Sequence, residues 1–94
     1  MDTKTISICF FRQNIDSLSR EVRVTKNEVI VTRFSKPCFR IVPLEDHQKG
    51  VELGFMEVRS HIPEFLDLLE QFEYVFLTSH GKRKIACTKV IAII

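Results

Sequence analysis

The chain has 94 residues, of which 45% are hydrophobic and 28% charged, and its formal net charge is +2. This length suits one small domain, or two half-size units that share a core, and the composition is ordinary for a soluble globular protein. No uncharged run approaches the roughly 20 residues needed to span a bilayer, and the N-terminus does not lead into a secretory apolar segment. Cys9, Cys38 and Cys87 are odd in number and far apart, which indicates reduced, half-buried thiols in a cytoplasmic protein.

The charges are unevenly distributed along the chain. Residues 45–73 contain eight acidic and two basic residues, whereas the first 44 residues contain eight basic and four acidic ones. After residue 73 there are four basic residues and no acidic one. Two basic segments therefore flank an acidic one, each centred on a Thr-x-x-x-Lys turn. The pattern is compatible with two phosphate-contacting surfaces, but taken alone a solvated charged face is its simpler interpretation.

A short strand and a helix open the chain. Apolar and polar residues alternate over 6–10, which predicts the strand. A helix is predicted over 11–23, because apolar residues there recur at spacings of 4, 3 and 4 and so lie on one face. These residues are Phe11, Ile15, Leu18 and Val22. We expect Ile15 and Leu18 to be core residues.

A β-hairpin and a linker follow. The runs 28–33 and 38–44 are rich in β-branched and aromatic residues and are separated by a turn over 34–37. Pro43 stands where the ladder must end or lie at an edge. Residues 45–54 are polar, include two glycines, and are predicted to link the two halves of the chain.

The second half repeats this pattern. A shift of 47 superposes the first apolar stripe on Val58, Ile62, Phe65 and Leu69. Proline is tolerated only in a first helical turn, so Pro63 predicts that the regular helix begins near 60–62, with Ser60 as a candidate cap. We expect Ile62 and Phe65 to be core residues. A second hairpin joins 74–78 to 85–94, and Gly81 supplies the positive φ that such turns often need.

The repetition predicts the architecture. A shift of 47 aligns the helices and a shift of 46 aligns the hairpins, with the one-residue difference in the polar stretch between them. The fold class is therefore predicted as α+β, with two tandem β-α-β-β units forming one body with pseudo-two-fold symmetry. The predicted repeats are 1–46 and 47–94, the second being the more diverged.

The first repeat resembles the Phd/YefM antitoxin family over residues 5–44. The resemblance rests on the helix opening Arg-Gln-Asn-Ile, the hairpin Val-Ile-Val-Thr-Arg-x-x-Lys-Pro and the strand ending Val-Pro-Leu. It implies a small α+β fold in which two copies pair through a shared sheet and place helices and turns on DNA. It also implies a protein that represses its own operon and neutralises a partner toxin through a separate C-terminal segment. The DNA-binding residues implied or favoured are Arg12, Asn14, Arg33, Lys36, Arg59, Lys82, Arg83 and Lys84.

Two departures from the family pattern affect this expectation. The second copy, which keeps Arg59, Thr78, Gly81 and Lys82, stands where family members have their toxin-binding tail. Ser79 stands where the first copy has Arg33, so the second repeat is expected to bind DNA less strongly or differently.

The sequence supports neither an enzyme nor a cofactor. The three histidines have no second metal ligand at helix or hairpin spacing, and no catalytic arrangement is evident. We therefore expect a cytoplasmic DNA-binding regulator whose partners are operator DNA and, in the family's manner, a toxin, with no membrane. It would be a pseudo-dimeric monomer or a homodimer. The alternatives are a protein-interaction module acting through its acidic face or an edge strand at 87–94, and a chain whose toxin-binding tail has been removed.

Overall fold

The computed structural model describes residues 3–90, which form a six-stranded sheet with four helices packed on one face. In chain order the elements are β1 (Lys4–Ser7), α1 (Ile8–Gln13), α2 (Ile15–Thr25), β2 (Val29–Arg33), β3 (Lys36–Val42), β4 (Gly50–Gly54), α3 (Phe55–Ser60), α4 (Ile62–Gln71), β5 (Tyr74–Ser79) and β6 (Lys82–Lys89). The predicted α+β class is confirmed.

The sheet has the strand order β1-β2-β3-β6-β5-β4. The outer pairs, β1 with β2 and β4 with β5, are parallel, and the three inner pairs are antiparallel. β6 lies inside the sheet, between β3 and β5. The predicted edge strand at 87–94 is therefore wrong for residues 87–89, which belong to β6 inside the sheet. Residues 91–94 lie outside the described residues.

The two halves pair their strands in corresponding registers. Ser7 lies opposite Thr32 in the first half, and Gly54 lies opposite Thr78 in the second. Each hairpin has a register shift at the matching position, between Val31 and Thr32 and between residues 77 and 78. Residues of β1 therefore correspond to residues of β4 at a shift of 47. Residues of the first hairpin correspond to residues of the second hairpin at a shift of 46.

Both hairpins close through two-residue turns, shorter than the four and six residues predicted. Phe34 and Ser35 have φ angles of 53° and 63°, and His80 and Gly81 have φ angles of 54° and 76°. Two successive positive φ angles match the twist of antiparallel strands, which is why tight hairpins use them. The predicted positive φ of Gly81 is confirmed.

The single helix predicted over 11–23 is wrong, because the chain there forms two helices, α1 and α2. The second helix, predicted to begin near 60–62, is confirmed as α4, and the short helix α3 precedes it. The first break falls at Asn14, whose side-chain amide donates to the Phe10 carbonyl at 2.9 Å and stabilises a non-helical backbone. α1 begins earlier than predicted because the Ser7 hydroxyl accepts from the Phe10 N–H at 3.2 Å. The second break falls at His61, which holds the N-cap position of α4 in place of the candidate Ser60 and makes no side-chain cap hydrogen bond, while Pro63 lies in the first turn as expected.

Three phenylalanine rings form the centre of the core. Phe39 of β3 lies edge-on to Phe11 of α1 and to Phe65 of α4, with 5.1 Å between ring centroids in each pair, and the latter two rings stack at 5.9 Å. All three are fully buried, and they join both halves of the chain. The predictions for Ile15, Leu18 and Phe65 are confirmed, whereas Ile62 is only half-buried and borders the core.

The opposite face of the sheet has a smaller apolar cluster. Val42, Phe76 and Ala86 are buried there, with Tyr74 packed against them. The linker closes over this cluster, since Leu44 and Gln48 line the same groove as Phe76. Gln48 fixes the linker by accepting from the Glu45 N–H and donating to the Pro43 carbonyl, both at 3.0 Å.

Replacing Gly50 by alanine should destabilise the fold. A Cβ at this position would overlap the Tyr74 carbonyl oxygen, and that oxygen belongs to the backbone of β5 and cannot rotate away. We expect a loss of about 1–3 kcal/mol, the usual cost of overpacking, in a urea unfolding experiment. Gly54→Ser is the control, because Ser7 is its counterpart and already caps a helix. A Gly50→Ala protein as stable as the parent would contradict this packing.

Candidate nucleic-acid interface

Arg12 and Arg59 meet at the centre of the helix layer. Each is the fifth residue of a six-residue helix, α1 or α3, and each side chain is exposed. The Arg12 Nε–H donates to the Arg59 carbonyl oxygen at 2.8 Å. A carbonyl in the last turn of a helix lacks an intrahelical partner and carries partial negative charge, so a guanidinium is a suitable cap. The bond uses one of the five donors of Arg12 and leaves its terminal nitrogens for an external acceptor.

An open groove of about 430 Å³ lies between these arginines. Cys9 and Gln13 complete its lining. Arg59 also lines a second groove, which runs to the β5–β6 turn past Asp16 and His80. The Asp16 carboxylate is 4.0 Å from the Arg59 guanidinium and lowers the positive potential there. The two grooves connect the central arginines to the tip of the second hairpin.

The first hairpin tip, residues 33–36, is basic and aromatic. The guanidinium of Arg33 lies over the ring of Phe34 at 5.3 Å, and the Phe34 side chain is 85% exposed. A bulky residue at φ 53° is strained, and this one gains no compensating burial. The side chain of Lys36 has no hydrogen-bond or ion-pair partner within residues 3–90. The tip therefore presents two cations and one exposed aromatic ring.

The second hairpin tip, residues 79–82, has the same backbone and different side chains. Ser79, His80 and Gly81 replace Arg33, Phe34 and Ser35, and Lys82 corresponds to Lys36. Lys82 likewise has no ion-pair partner in the described part of the chain. The second tip presents one lysine and lacks both the arginine and the exposed ring.

Two of the residues predicted to bind DNA, Arg83 and Asn14, do not join this surface, and a third, Lys84, is half-buried. Arg83 lies on the opposite face of the sheet, where it stacks on Phe76 at 4.1 Å and pairs with Glu52 at 2.6 Å. Lys84 occupies the bulge of β6 and is half-buried. Asn14 has its amide bonded to the Phe10 carbonyl, a contact that shapes the break between α1 and α2. Arg12, Arg33, Lys36, Arg59 and Lys82 remain.

Sequence reasoning missed Cys9, Gln13, Asp16 and His80, which line the same grooves. None of them is a lysine or an arginine. Cys9 and Gln13 share α1 with Arg12, whereas the fold brings Asp16 and His80 beside Arg59. Spacing along the helix could have predicted one of these neighbours, since residues three and four positions apart lie on the same face of a helix. Cys9 is three residues from Arg12, which would have placed them together.

The three cysteines differ in exposure, and all are free thiols. Burial raises the pKa of Cys87, which is completely enclosed, and burial also raises the pKa of Cys38 against the opposing effect of nearby Arg33. A raised pKa keeps a thiol protonated and unreactive. Cys9 is the exposed one, and it lies in the groove between the arginines.

Among residues 3–90, no cluster of three or more potential metal ligands is present, and no helix is long and apolar enough to cross a membrane. Comparisons of the chain with models of protein families, with curated proteins and with solved structures found no match. They do not identify the Phd/YefM family, so membership of that family stays a prediction.

Proposed function

We propose that the chain is a DNA-binding transcriptional regulator of the Phd/YefM antitoxin type. It consists of two tandem β-α-β-β-like units, residues 1–46 and 47–94, related by pseudo-two-fold symmetry in one cytoplasmic body. Each single helix of the predicted unit is a broken pair of helices. Operator DNA is its partner, and a toxin is a second partner in the family's manner. One chain takes the place of a dimer.

The corresponding registers of the two halves support the tandem arrangement. The strand order β1-β2-β3 is mirrored by β4-β5-β6, and β3 and β6 pair antiparallel at the centre, as two-fold-related strands do. The cores are continuous, since Phe11 and Phe39 of one half pack on Phe65 of the other. A unit of about 45 residues buries too little surface to be stable alone, which gives a physical reason for the fusion.

The single observation that carries the DNA proposal is the line of exposed cations on the helix side of the sheet. Arg12 and Arg59 lie at its centre, and two grooves connect them to the second hairpin tip. The first tip points to the opposite end of the sheet, where Arg33 shares a groove with Asp67 and Glu70 of α4. Arginine suits this role because its planar donors fit phosphate oxygens and the guanine edge. Phosphate contacts fix the position of the protein, and a few arginine–base contacts then discriminate between sequences.

The salt dependence of DNA binding should report how many of these cations contact phosphates. Each neutralised phosphate adds about 0.9 to the magnitude of the negative slope of log affinity against log salt, so the five cations set an upper limit near 4.5 for that magnitude. We expect a slope between about −2 and −4.5 in a fluorescence-anisotropy titration with the gene's own upstream DNA. A faster test is retention of the protein on a heparin column, which should weaken as the salt concentration rises. Absence of binding at low salt would exclude the proposal.

Cys9 offers an independent test of the same surface. A bulky maleimide should label Cys9 first, since Cys87 is enclosed and Cys38 is half-buried. A label there lies between Arg12 and Arg59 and should abolish DNA binding by steric exclusion. Treated Cys9→Ser protein should bind as well as the untreated parent. Full DNA binding by fully labelled protein would place the interface elsewhere.

A protein-interaction module is the second candidate, and the acidic face of α4 favours it. Glu64, Asp67 and Glu70 are exposed on this helix, and the last two line a groove with Arg33. A basic protein partner would fit this face, which would repel DNA. This candidate becomes the better one if the protein fails to bind DNA and a toxin-like reading frame lies beside its gene.

A further inference from the structure

We infer that the two hairpin tips contact DNA about one helical turn apart, and that only the first tip reads sequence. The chain would then recognise an asymmetric operator, with one sequence-specific half-site and one half-site that supplies phosphate contacts alone. This inference rests on the proposed DNA-binding function and specifies the kind of DNA that function requires.

The separation of the tips follows from the sheet register. β3 and β6 run antiparallel, with Phe39 opposite Lys89 and Val42 opposite Ala86, so the two hairpins point to opposite ends of the sheet. About eight ladder steps of roughly 3.3 Å separate the first residues of β3 and β6, and the turns extend the span to about 30 Å. The longest dimension of the chain is 36 Å. Half-sites read from one side of B-DNA repeat every 34–36 Å or so, which this span approaches.

The difference between the tips follows from their side chains. Both turns have nearly the same φ angles, so the backbone presents residues 34 and 80 equivalently. At the first tip, Arg33 supplies a fork of donors able to bind a guanine edge, and Phe34 supplies an exposed ring able to contact a thymine methyl group or wedge at a base step. The second tip has Ser79 and His80 there, and Lys82 is a point charge that suits phosphate.

The strain at Phe34 is a separate reason to assign reading to the first tip. Asn-Gly or Asp-Gly is the usual sequence for such a turn, and phenylalanine is neither comfortable at positive φ nor covered by other residues here. A strained residue with no structural benefit points to a function at that position. The equivalent His80 is smaller and more polar. It is followed by Gly81, which adopts a positive φ without strain.

Selection from a library of duplexes with random central positions tests this inference on the intact chain. We expect enrichment of one short motif on one side, with hydroxyl-radical protection extending about one turn further over positions without sequence preference. Changing a base pair in the motif should reduce affinity about tenfold, and changing one in the other protected region less than about threefold. A palindromic motif, or binding with no motif at all, would overturn the inference and leave DNA binding intact. Failure to bind any duplex at low salt would overturn the proposed function itself.

Transplanting the first tip onto the second provides a gain-of-function test. The variant Ser79→Arg/His80→Phe recreates the reading pair on a backbone that already has the required φ angles. Selection with this variant should enrich two inverted copies of the parent motif, about one turn apart. The reverse variant, Arg33→Ser/Phe34→His, should lose the motif and keep weaker, salt-dependent binding. If the transplanted variant enriches the parent's single motif unchanged, or the reverse variant keeps that motif, the difference between the tips does not determine sequence reading and the inference is overturned.

Discussion

Replacing Phe65 by alanine is expected to lower the free energy of unfolding by about 3–5 kcal/mol, the range for truncating a buried phenylalanine. The ring is fully buried and lies against Phe11 and Phe39, so its loss removes contacts that join the two halves. Small domains are stable by about 5–15 kcal/mol, so this loss is a large fraction of the total stability. Urea unfolding followed by circular dichroism measures the change.

Phe34→Ala is the matched control for this experiment. It makes the same chemical change at a side chain that is 85% exposed, where no cavity forms. Its stability should stay within about 0.5 kcal/mol of the parent. Equal losses at the two positions would contradict the central role of the phenylalanine cluster.

Arg12→Ala and Arg33→Ala are each expected to weaken DNA binding by about 1–3 kcal/mol, Arg33→Ala through loss of an arginine–base pair and Arg12→Ala through loss of a charged contact to phosphate at the centre of the interface. Lys82→Ala should have a smaller effect, because a lysine on phosphate contributes mainly to the salt slope. Anisotropy titrations at fixed salt give these differences, and circular dichroism checks that each variant is folded.

Two control variants separate this surface from general charge. Arg40→Ala removes an equal charge from the opposite face of the sheet, where Arg40 pairs with Glu28 at 2.7 Å, and should leave binding nearly unchanged. Asp16→Asn removes the carboxylate beside Arg59 and should strengthen binding. If Arg40→Ala weakens binding as much as Arg12→Ala does, the interface has been assigned to the wrong face.

Periodicity predicted the buried stripes and the strands of the two hairpins, because burial imposes a period of 3.6 on helices and 2 on strands. It was wrong for the strand over 6–10, where residues 8–10 are helical, and for the linker 45–54, where residues 50–54 form β4. It could not reveal the breaks at Asn14 and His61, since the apolar spacing of 4, 3 and 4 continues across each of them. Only the second break had a signal in the sequence, because Pro63 requires a helix start close before it. The breaks depend on local hydrogen bonds, such as that from the Asn14 amide to the Phe10 carbonyl. They matter for the site, because Arg12 and Arg59 lie immediately before them.

The position of Arg83 shows a second limit of sequence reasoning. Strict alternation from buried Ile85 would place Arg83 on the helix side, close to the predicted interface. A bulge at Lys84 shifts the register between residues 77 and 78, and Arg83 turns to the other face to stack on Phe76. A bulge adds one residue to the strand, so the side chains on its far side point to the opposite faces of the sheet from those that strict alternation predicts. The density of basic residues in the sequence therefore overstated the charge on the helix side.

Backbone amide chemical shifts, followed during a titration with duplex DNA at low salt, would map the DNA-binding surface residue by residue. We expect the perturbed residues to lie on the helix side, at the tip 33–36, around Arg12 and Arg59, and at the tip 79–82. Arg40, Phe76 and residues 43–49, on the opposite face, should be unaffected. The absence of any perturbation, or a band centred on the opposite face, would contradict this expectation.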